Sequence, residues 1–410
     1  MDRQHLPKSR NLAGRSSTPV PPRTVSSGPA IYPKNAPKEA FKETVAIIVD
    51  SGSGYTKAGF SGDEQPRIVL KSSVGIIPQK SRSTKEGPEY FIGYNIPKDR
   101  VDVVKKKPIT HGIVTDWDAL EKLWHHTFYW ELRICPEEHG ILVTDAPLSP
   151  TTNREKMAEL LFEEFRVPAM YVAHQSLLSV YSYGRTTGLV VESGSGATYV
   201  SPIHNGYSMP HATFRLDLAG RALTEYLGKL MADAGNRFSS QEKPVVREIK
   251  KQCCYISQDY EAELRSEERG YLMDYVLPDG HAITLGSERF RCPEILFCPS
   301  TLGVSEAGIH VMTMNSLQKC PTEQHEQMMD SIMVCGGSSL LRGFPERLKK
   351  EMIKLAPRGA KINVIAGPHR EFSAWVGGSI MACLNSFQPM WVSSQDYNER
   401  GPFMVHHKCY

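Results

Sequence analysis

The sequence predicts an α/β protein with two similar lobes, each built on a mixed sheet, and three observations lead to this fold class. A strand–glycine turn–strand segment occurs twice, predicted strands alternate with predicted helices, and the composition is that of a globular chain. Of the 410 residues, 40% are hydrophobic and 23% are charged, which excludes wholesale disorder. The net charge of +3 is too small to indicate that the protein as a whole binds nucleic acid or a membrane surface.

The first 40 residues differ in composition from the rest of the chain. They contain seven Lys or Arg against two acidic residues, a charge near +5, which leaves the remainder near −2. Seven prolines and almost no large apolar side chains lie in the same segment, so burial cannot offset the entropy lost on ordering. We expect residues 1–40 to be a disordered basic extension, either a solubilising leader or a tether for an acidic partner.

The organised chain begins near Glu43 with the first of two glycine hairpins. Residues 44–50 (TVAIIVD) form an apolar, β-branched run that ends in Asp50, and a Gly-Ser-Gly turn leads into a second predicted strand. Residues 188–202 repeat this pattern, with Glu192 in the place of Asp50 at an offset of 142 positions. The matching segments predict a duplicated architecture with one hairpin in each lobe.

Between the hairpins, helical and extended patterns alternate. Residues 117–133 and 153–165 predict amphipathic helices, and residues 140–145 (GILVTD) predict a buried strand. His125 and His126 lie in the first helix, but neighbouring helical residues point about 100° apart and no HExxH spacing surrounds them. We therefore expect core or surface histidines there rather than metal ligands.

The two hairpins carry the features of a phosphate site. Glycines let the backbone approach an anion closely and let successive N–H groups point at phosphate oxygens. A carboxylate just before the turn can hold a hydrated divalent cation that bridges the phosphates. A third segment, residues 332–343 (IMVCGGSSLLRG), runs a strand into two glycines and predicts a close backbone approach to a nucleoside. The pattern predicts a polyphosphate held between the lobes.

Motifs of several enzyme classes are missing from the sequence. It contains no Walker A GxxxxGK[ST], no GxGxxG at the hairpins, no GxSxG and no CxxC. The nine scattered cysteines fit reduced thiols in the cytosol or nucleus rather than a disulfide framework. No signal peptide is expected, and the longest stretch without Asp, Glu, Lys or Arg, residues 373–395, is too polar for a bilayer span. We expect no membrane insertion.

Many short stretches besides the hairpins carry a resemblance to a known family. They are KAGF (57–60), HGI (111–113), WHHTFY (124–129), PEEH (136–139), NREKM (153–157), RLDLAG (215–220), LPDG (277–280), ERFRCPE (288–294) and HKC (407–409). From about Val45 to Tyr410 the chain resembles actin, and more closely the divergent testis-type actin-like proteins of the sperm head. The basic extension is not part of conventional actin, but it resembles the extensions of the testis relatives.

The resemblance implies the actin-like ATPase-superfamily fold, with four subdomains in two lobes around a central nucleotide cleft. The implied ranges are 41–71, 108–182 and 373–410 for subdomain 1, 72–107 for subdomain 2, 183–218 and 305–372 for subdomain 3, and 219–304 for subdomain 4.

The resemblance also implies residue roles toward ATP or ADP with Mg²⁺. Ser53, Gly54 and Lys57 would hold the β and γ phosphates, and Gly194, Ser195 and Gly196 would form the second phosphate hairpin. Gly336, Gly337 and Ser338 would lie with Lys250 beside the nucleoside. Asp50 and Glu192 would hold the metal through water, and Gln175 would position the attacking water.

Several positions depart from the family pattern near the phosphates. Glu192 replaces an aspartate, and its extra methylene moves the carboxylate toward the metal. Ser195 replaces a second aspartate and removes a charge from the metal's surroundings. Tyr199 replaces a histidine near the attacking water, and a phenol with an ordinary pKa of about 10 is a poor proton acceptor at neutral pH. We expect impaired hydrolysis, which leaves it open whether the protein is an enzyme.

Positions near the nucleoside and the filament contacts differ as well. Leu341 replaces a tyrosine near adenine, while Lys251 and Glu371 exchange the charges of a glutamate and a lysine that flank the nucleoside. The exchanged charges predict a pair across the cleft worth about 0.2 to 1 kcal/mol and ATP binding weaker than in actin. Polar residues 79–89 and Thr301 stand where the family has an apolar loop tip and an aromatic, so filament contacts should be weakened.

Three functional hypotheses follow from the resemblance. The favoured one is a structural actin-like protein of the sperm cytoskeleton, in the layer between acrosome and nucleus (the perinuclear theca), where it would contribute to head shaping or fertilisation. The alternatives are an ATP-hydrolysing, filament-forming actin and a nuclear actin-related subunit of a chromatin complex. The expected partners are other actin-like or cytoskeletal proteins and an acidic partner for the extension. No direct DNA site is expected, and the location is expected to be the cytoplasm or the nucleus.

Overall fold

The computed structural model describes residues 44–78, 90–97, 100–266 and 270–409, and these residues fall within one compact unit, Phe41–Tyr410. The basic extension, residues 1–40, and the polar segment, residues 79–89, lie outside the described residues.

The described strands collect in two large mixed sheets and three small antiparallel ones. Their bounds are β1 Ile47–Ser51, β2 Tyr55–Phe60, β3 Ile68–Lys71, β4 Val74–Ile76, β5 Tyr90–Ile92, β6 Val104–Lys106, β7 Ile109–Thr110, β8 Ile113–Val114, β9 Gly140–Asp145, β10 Ala169–His174, β11 Gly188–Ser193, β12 Thr198–His204, β13 Tyr207–Ser208, β14 Phe214–Leu216, β15 Met273–Val276, β16 Ala282–Leu285, β17 Ile332–Cys335, β18 Val364–Ile365 and β19 Val392–Ser393.

Helices cover the two large sheets. Their bounds are α1 Trp117–His125, α2 Thr151–Glu159, α3 Gln175–Ser182, α4 Gly220–Asp233, α5 Lys243–Cys253, α6 Tyr260–Leu264, α7 Glu288–Glu294, α8 Ile309–Gln318, α9 His325–Met329, α10 Phe344–Leu355, α11 Ser373–Cys383, α12 Ser394–Arg400 and α13 Val405–Lys408. The two helices predicted from periodicity are α1 and α2, and each continues as a wider π-helical turn, over His126–Leu132 and Leu160–Glu164.

The two large sheets share one topology. In the first, of order β19-β10-β9-β1-β2-β3, strand β1 is antiparallel to β2 and parallel to β9. In the second, of order β13-β12-β11-β17-β18 with β14 also paired to β12, strand β11 is antiparallel to β12 and parallel to β17. The equivalent neighbours confirm the predicted α/β class with a duplicated mixed sheet.

Each large sheet lies in a hydrophobic core of its own. The first core packs around β1, β9 and β10, whose apolar runs are buried on both faces as expected for central strands covered by helices. The second surrounds β11, β17 and helices α4, α5 and α10. A smaller cluster joins α3 to the second sheet through side chains including Leu177, Val190 and Met333. Helix α3 therefore connects the two lobes.

Helix α3 is held in place by a close crossing with α11. A Cβ atom on Gly377 of α11 would overlap the carbonyl group of Leu178 in α3, so the two backbones touch at this point. Because Gln175 is the first residue of α3, this crossing sets the position of its side chain at the base of the first hairpin.

Two further expectations concern the chain as a whole. All nine cysteines lie among the described residues, and none forms a disulfide. In the described part of the chain, no helix combines the length and the apolar character needed to cross a membrane.

Candidate functional site

The first hairpin ends in a network centred on Asp50. Strand register places Asp50 opposite Lys57, and the Lys57 ammonium donates to Asp50 Oδ2 at 2.7 Å. Thr144 Oγ1 and Gln175 Nε2 donate to Oδ1 at 2.8 and 2.9 Å. Burial alone would raise the pKa of Asp50, but the charge and hydrogen bond of Lys57, with the two other hydrogen bonds, lower it below its ordinary value. Asp50 is therefore a buried anion with a fixed orientation.

The second hairpin presents a carboxylate that lacks such a network. Register places Glu192 opposite Tyr199, the same offset that joins Asp50 to Lys57 in the first hairpin. The Oε2 atom of Glu192 is inaccessible and has no hydrogen-bond partner among the described residues. Burial raises the pKa of Glu192 to about 7, with the negative charge of Asp50 adding to the effect and Lys57 opposing it. The two predicted metal-holding carboxylates therefore lie close enough to interact.

The tips of the two hairpins touch each other. A Cβ on Gly54 would lie 2.7 Å from both side-chain atoms of Ser195, and a Cβ on Gly196 would lie 2.7 Å from the Cβ of Ser53. The glycines are thus needed for the two turns to approach, as a clamp on a small anion requires. The structure brings the predicted phosphate residues of both lobes together at this point.

A short segment between β7 and β8 fastens the two hairpins. His111 Nδ1 donates to the carbonyl of Gly196 at 2.7 Å, and the Gly112 N–H donates to Ser53 Oγ at 2.7 Å. The hydroxyl of Tyr199, a residue only 4% exposed, donates to the carbonyl of His111 at 3.0 Å. Gly112 has φ +83°, and a Cβ there would lie 2.6 Å from the Tyr199 hydroxyl.

Tyr199 therefore acts as a contact between the lobes. Burial raises the pKa of its phenol above the ordinary value, and its proton is engaged by a backbone carbonyl. Both effects oppose a role as proton acceptor.

The predicted nucleoside residues gather behind the second hairpin. Gly336 has φ +86°, and a Cβ there would overlap the Ser193 carbonyl. The hydroxyl of Ser338 donates to the carbonyl of Gly194 at 2.5 Å, and the Lys250 ammonium donates to the carbonyl of Gly220 at 2.6 Å. Burial lowers the pKa of Lys250 to about 8. This third glycine turn thus supports the second hairpin directly.

The pair predicted between Lys251 and Glu371 is wrong. Lys251 lies on an exposed face of α5, and its ammonium pairs with Glu248 Oε1 at 3.0 Å, one turn earlier on the same helix. Glu371 Oε2 is inaccessible and has no hydrogen-bond partner in the described part of the chain. A local partner three residues away costs less ordering entropy than one across the cleft.

The donor set at the hairpins fits a magnesium nucleotide. Carboxylate oxygens are the ligands that Mg²⁺ prefers, and the unpartnered Oε2 of Glu192 beside Asp50 supplies them. Glycine turns free of Cβ atoms supply N–H groups for phosphate oxygens. Among the described residues, no group of three or more His, Cys, Asp or Glu could hold a separate metal ion.

Four residues that the structure brings into the site were not predicted from the sequence. They are His111, Gly112, Thr144 and Arg221. His111 and Gly112 belong to the HGI stretch, and Arg221 directly follows RLDLAG. Their place in or beside the family-like stretches could have marked these three residues as part of the site, whereas their residue types alone could not.

Comparison with known proteins agrees with this geometry. The actin family model matches residues 41–410. Actin-like protein 7A of Homo sapiens is 44% identical over 379 residues, which cover 92% of this chain and 86% of that protein. Actin-like protein 7A of Macaca fascicularis is 43% identical over 398 residues, 97% of this chain and 89% of that protein. The Bos taurus protein of the same name is 43% identical over 375 residues, or 91% and 85% of the two chains.

Proposed function

Because the chain belongs to the actin family, we propose that it is a structural actin-like cytoskeletal protein that holds ATP or ADP in its interlobe cleft and hydrolyses ATP slowly or not at all. The proposed setting is a sperm-specific assembly between acrosome and nucleus, with a role in spermatid head shaping or fertilisation. This setting is supported by the resemblance to the testis-type branch and by the identity of 44% to human actin-like protein 7A.

Nucleotide binding is proposed from the chemistry of the two hairpins. Ser53, Gly54 and Lys57 on one side and residues 194–196 on the other would hold the phosphates, while Asp50 and Glu192 would hold Mg²⁺ through water. The bound cation would neutralise phosphate charge. We propose weaker binding than in actin because Leu341 offers adenine no aromatic face, a difference of about 1 kcal/mol.

One observation carries the proposal of impaired hydrolysis. The Tyr199 hydroxyl donates its proton to the His111 carbonyl, so the side chain at the predicted water position serves as a link between lobes. Gln175 is likewise engaged, since its amide donates to Asp50 and Thr144. The Tyr199 phenol is a poor proton acceptor, and the neutral amide of Gln175 can orient a water but cannot take its proton.

The test is a single-turnover measurement of phosphate release with Mg-ATP, with conventional actin as the reference. We expect bound nucleotide with release at least about tenfold slower than that of the reference, since general base catalysis contributes that much or more. Release at the reference rate would favour the filament-forming ATPase instead. Immunolocalisation in spermatids tests the setting, and a signal confined to chromatin would favour the nuclear subunit.

We propose two classes of partner, namely other actin-like or cytoskeletal proteins for the body and an acidic protein for residues 1–40. The extension's charge near +5 supports the second. The acidic partner is tested by co-sedimentation with spermatid cytoskeletal fractions. The full chain is compared with a chain that lacks residues 1–40. Equal recovery of both chains at low salt would remove the acidic partner from the proposal.

A further inference from the structure

We propose that Arg221 is a direct ligand of the phosphate chain, through which the cleft binds a polyphosphate without a divalent cation. This inference rests on the proposed function, in that it takes the two hairpins as the phosphate site. The sequence alone predicted no role for Arg221.

Arg221 contacts the tips of both hairpins. Its backbone N–H donates to the carbonyl of Ser195 at 2.8 Å, which fixes the residue beside the second hairpin. Its guanidinium Nη2 donates to the carbonyl of Ser53 at 3.3 Å, at the tip of the first hairpin. The guanidinium therefore lies at the junction where the tips meet.

The other cations at the hairpins are already engaged. Lys57 is paired with Asp50 at 2.7 Å, and the ammonium of Lys250 is buried against the carbonyl of Gly220. By contrast, no carboxylate among the described residues lies within ion-pair distance of the Arg221 guanidinium. Ser195, whose carbonyl accepts the Arg221 backbone N–H, adds no negative charge there because its side chain is a neutral hydroxyl.

The surroundings of Arg221 add further positive charge. Burial lowers the pKa of Lys107, and the nearby charges of Arg221 and Lys243 lower it further, with Glu225 opposing them. Glu225 itself is paired with Lys243 at 2.7 Å. The positive groups thus exceed the acidic ones at this edge of the cleft, and a bound anion would relieve their repulsion.

Guanidinium chemistry suits this task. Arginine offers five N–H donors in a planar fork that matches phosphate oxygens, and a single hydrogen bond from its side chain is made to a described residue. In the second hairpin, metal holding depends on Glu192 alone, since Ser195 carries no charge. A direct positive ligand would therefore take over part of the charge compensation that a cation otherwise provides.

A competing interpretation is that Arg221 is a brace, whose bond to Ser53 merely joins the lobes. A brace affects the stability of the protein without ligand, whereas a phosphate ligand affects the ligand's binding constant. Both quantities are therefore measured in the same experiment.

The experiment is calorimetric titration of the nucleotide-stripped full chain with tripolyphosphate in EDTA, and separately with Mg-ATP, alongside thermal unfolding without ligand. The variants are Arg221→Gln, Arg221→Lys and Ser195→Asp. The matched control is Lys243→Gln, which removes one positive charge from the same edge of the cleft without touching the hairpins.

We expect tripolyphosphate to bind the unmodified chain in EDTA and Arg221→Gln to weaken that binding about tenfold or more, as loss of a hydrogen bond to a charged group does. Arg221→Lys should fall between them, because it keeps the charge and loses the fork. Lys243→Gln should change the affinity by less than about threefold, because exposed charges are screened. Ser195→Asp should weaken tripolyphosphate binding in EDTA and increase the gain in affinity that Mg²⁺ provides.

Equal binding by Arg221→Gln and the unmodified chain in EDTA would overturn the inference, whatever happens to the unfolding temperature. An equal loss of tripolyphosphate affinity in Arg221→Gln and Lys243→Gln would also overturn the inference, because the attraction would then come from the overall positive charge of this edge and not from Arg221. If Mg-ATP binds while tripolyphosphate in EDTA does not, the inference fails and the proposed nucleotide site stands. If tripolyphosphate binds through Arg221 and Mg-ATP binds no more tightly, the inference stands and the nucleoside part of the proposed function fails. Binding of neither ligand would overturn both.

Discussion

Single residues decide how the two hairpins of this protein differ in chemistry. Asp50 and Lys57 form an ion pair at one register position, whereas the equivalent position of the second hairpin joins Glu192 to Tyr199. An ion pair neutralises a buried carboxylate, but a phenol whose proton is engaged elsewhere does not. The repeated backbone therefore carries one stabilised carboxylate and one that is held at an energetic cost.

The first prediction concerns the chemistry of residue 199. We expect Tyr199→His to raise the single-turnover rate of phosphate release about tenfold or more, because imidazole, with an ordinary pKa of about 6.5, accepts a proton at neutral pH. The control is Tyr199→Phe, which also loses the hydrogen bond to the His111 carbonyl but supplies no proton acceptor. An unchanged rate in Tyr199→His would refute the argument from proton acceptance.

A second prediction concerns Glu192 and pH. Its folded-state pKa of about 7 lies above the ordinary value of 4.5, so its contribution to stability is fully present below pH 4.5 and is lost as the pH rises through about 7. In EDTA at pH 8, Glu192→Gln should therefore be more stable than the unmodified chain, by on the order of 3 kcal/mol. The difference should shrink as the pH is lowered toward 5.

Thermal unfolding of nucleotide-stripped protein across this pH range measures the effect. The control is Glu64→Gln, at an exposed position, which should leave the pH profile unchanged. A stability difference that stays constant from pH 5 to pH 8 would show that Glu192 is not held against its preferred ionisation.

At the scale of elements, the crossing of α3 and α11 fixes the position of α3 and therefore the place where Gln175 enters the site. The crossing depends on Gly377 of α11, where the backbone of α3 leaves no room for a side chain. Gln175 begins α3, and its amide contacts the Asp50 carboxylate. Displacing α3 would therefore move the Gln175 amide relative to the Asp50 carboxylate of the first hairpin.

The third prediction follows from this crossing. Gly377→Ala should lower the free energy of unfolding by about 3 kcal/mol, since the added methyl group overlaps the Leu178 carbonyl and forces the helices apart. The control is Gly228→Ala in α4, where the nearest atom to a new Cβ is Val246 Cγ1 at 4.0 Å. That change should stabilise the protein by about 0.5 to 1 kcal/mol because alanine favours the helix. Denaturant unfolding measures both, and equal effects of the two changes would contradict the role of the crossing.

At the scale of the whole molecule, the question is whether copies of the chain assemble. Thr301 is exposed in a 3₁₀ turn, Pro299–Leu302, and the resemblance to actin implies an aromatic side chain at this position. Residues 79–89, which lie outside the described residues, are polar throughout. Interfaces obtain most of their energy from a few buried aromatic or apolar anchors, so replacing them weakens association strongly.

The fourth prediction is that the isolated protein forms no long filaments at physiological salt. Sedimentation and electron microscopy at about micromolar concentration measure this, with conventional actin as the positive control. Helically ordered filaments of the pure chain would contradict it. Assembly with a different actin-like protein would not, because an altered surface can be complementary to another altered surface.

The amino-acid sequence by itself determined the class of fold, the two hairpins, the third glycine turn and the first helices. These features depend on local periodicity and on glycine at tight turns, which neighbouring residues specify. The match between residues 47–54 and 189–196, an apolar run, an acid and a Gly-Ser-Gly turn, predicted the duplication, and the matching strand orders confirm it.

The tertiary structure alone decided the long-range partners of the polar side chains in the site. Tyr199 reaches a carbonyl 88 positions away, and Arg221 reaches one 168 positions away, so no local pattern could reveal either bond. Lys251, by contrast, pairs locally with Glu248 on the same helix, and not with Glu371 as the exchanged charges suggested. The physical reason is that hydrogen bonds and ion pairs act over a few ångströms, while the distances that govern them are set by how the two cores pack.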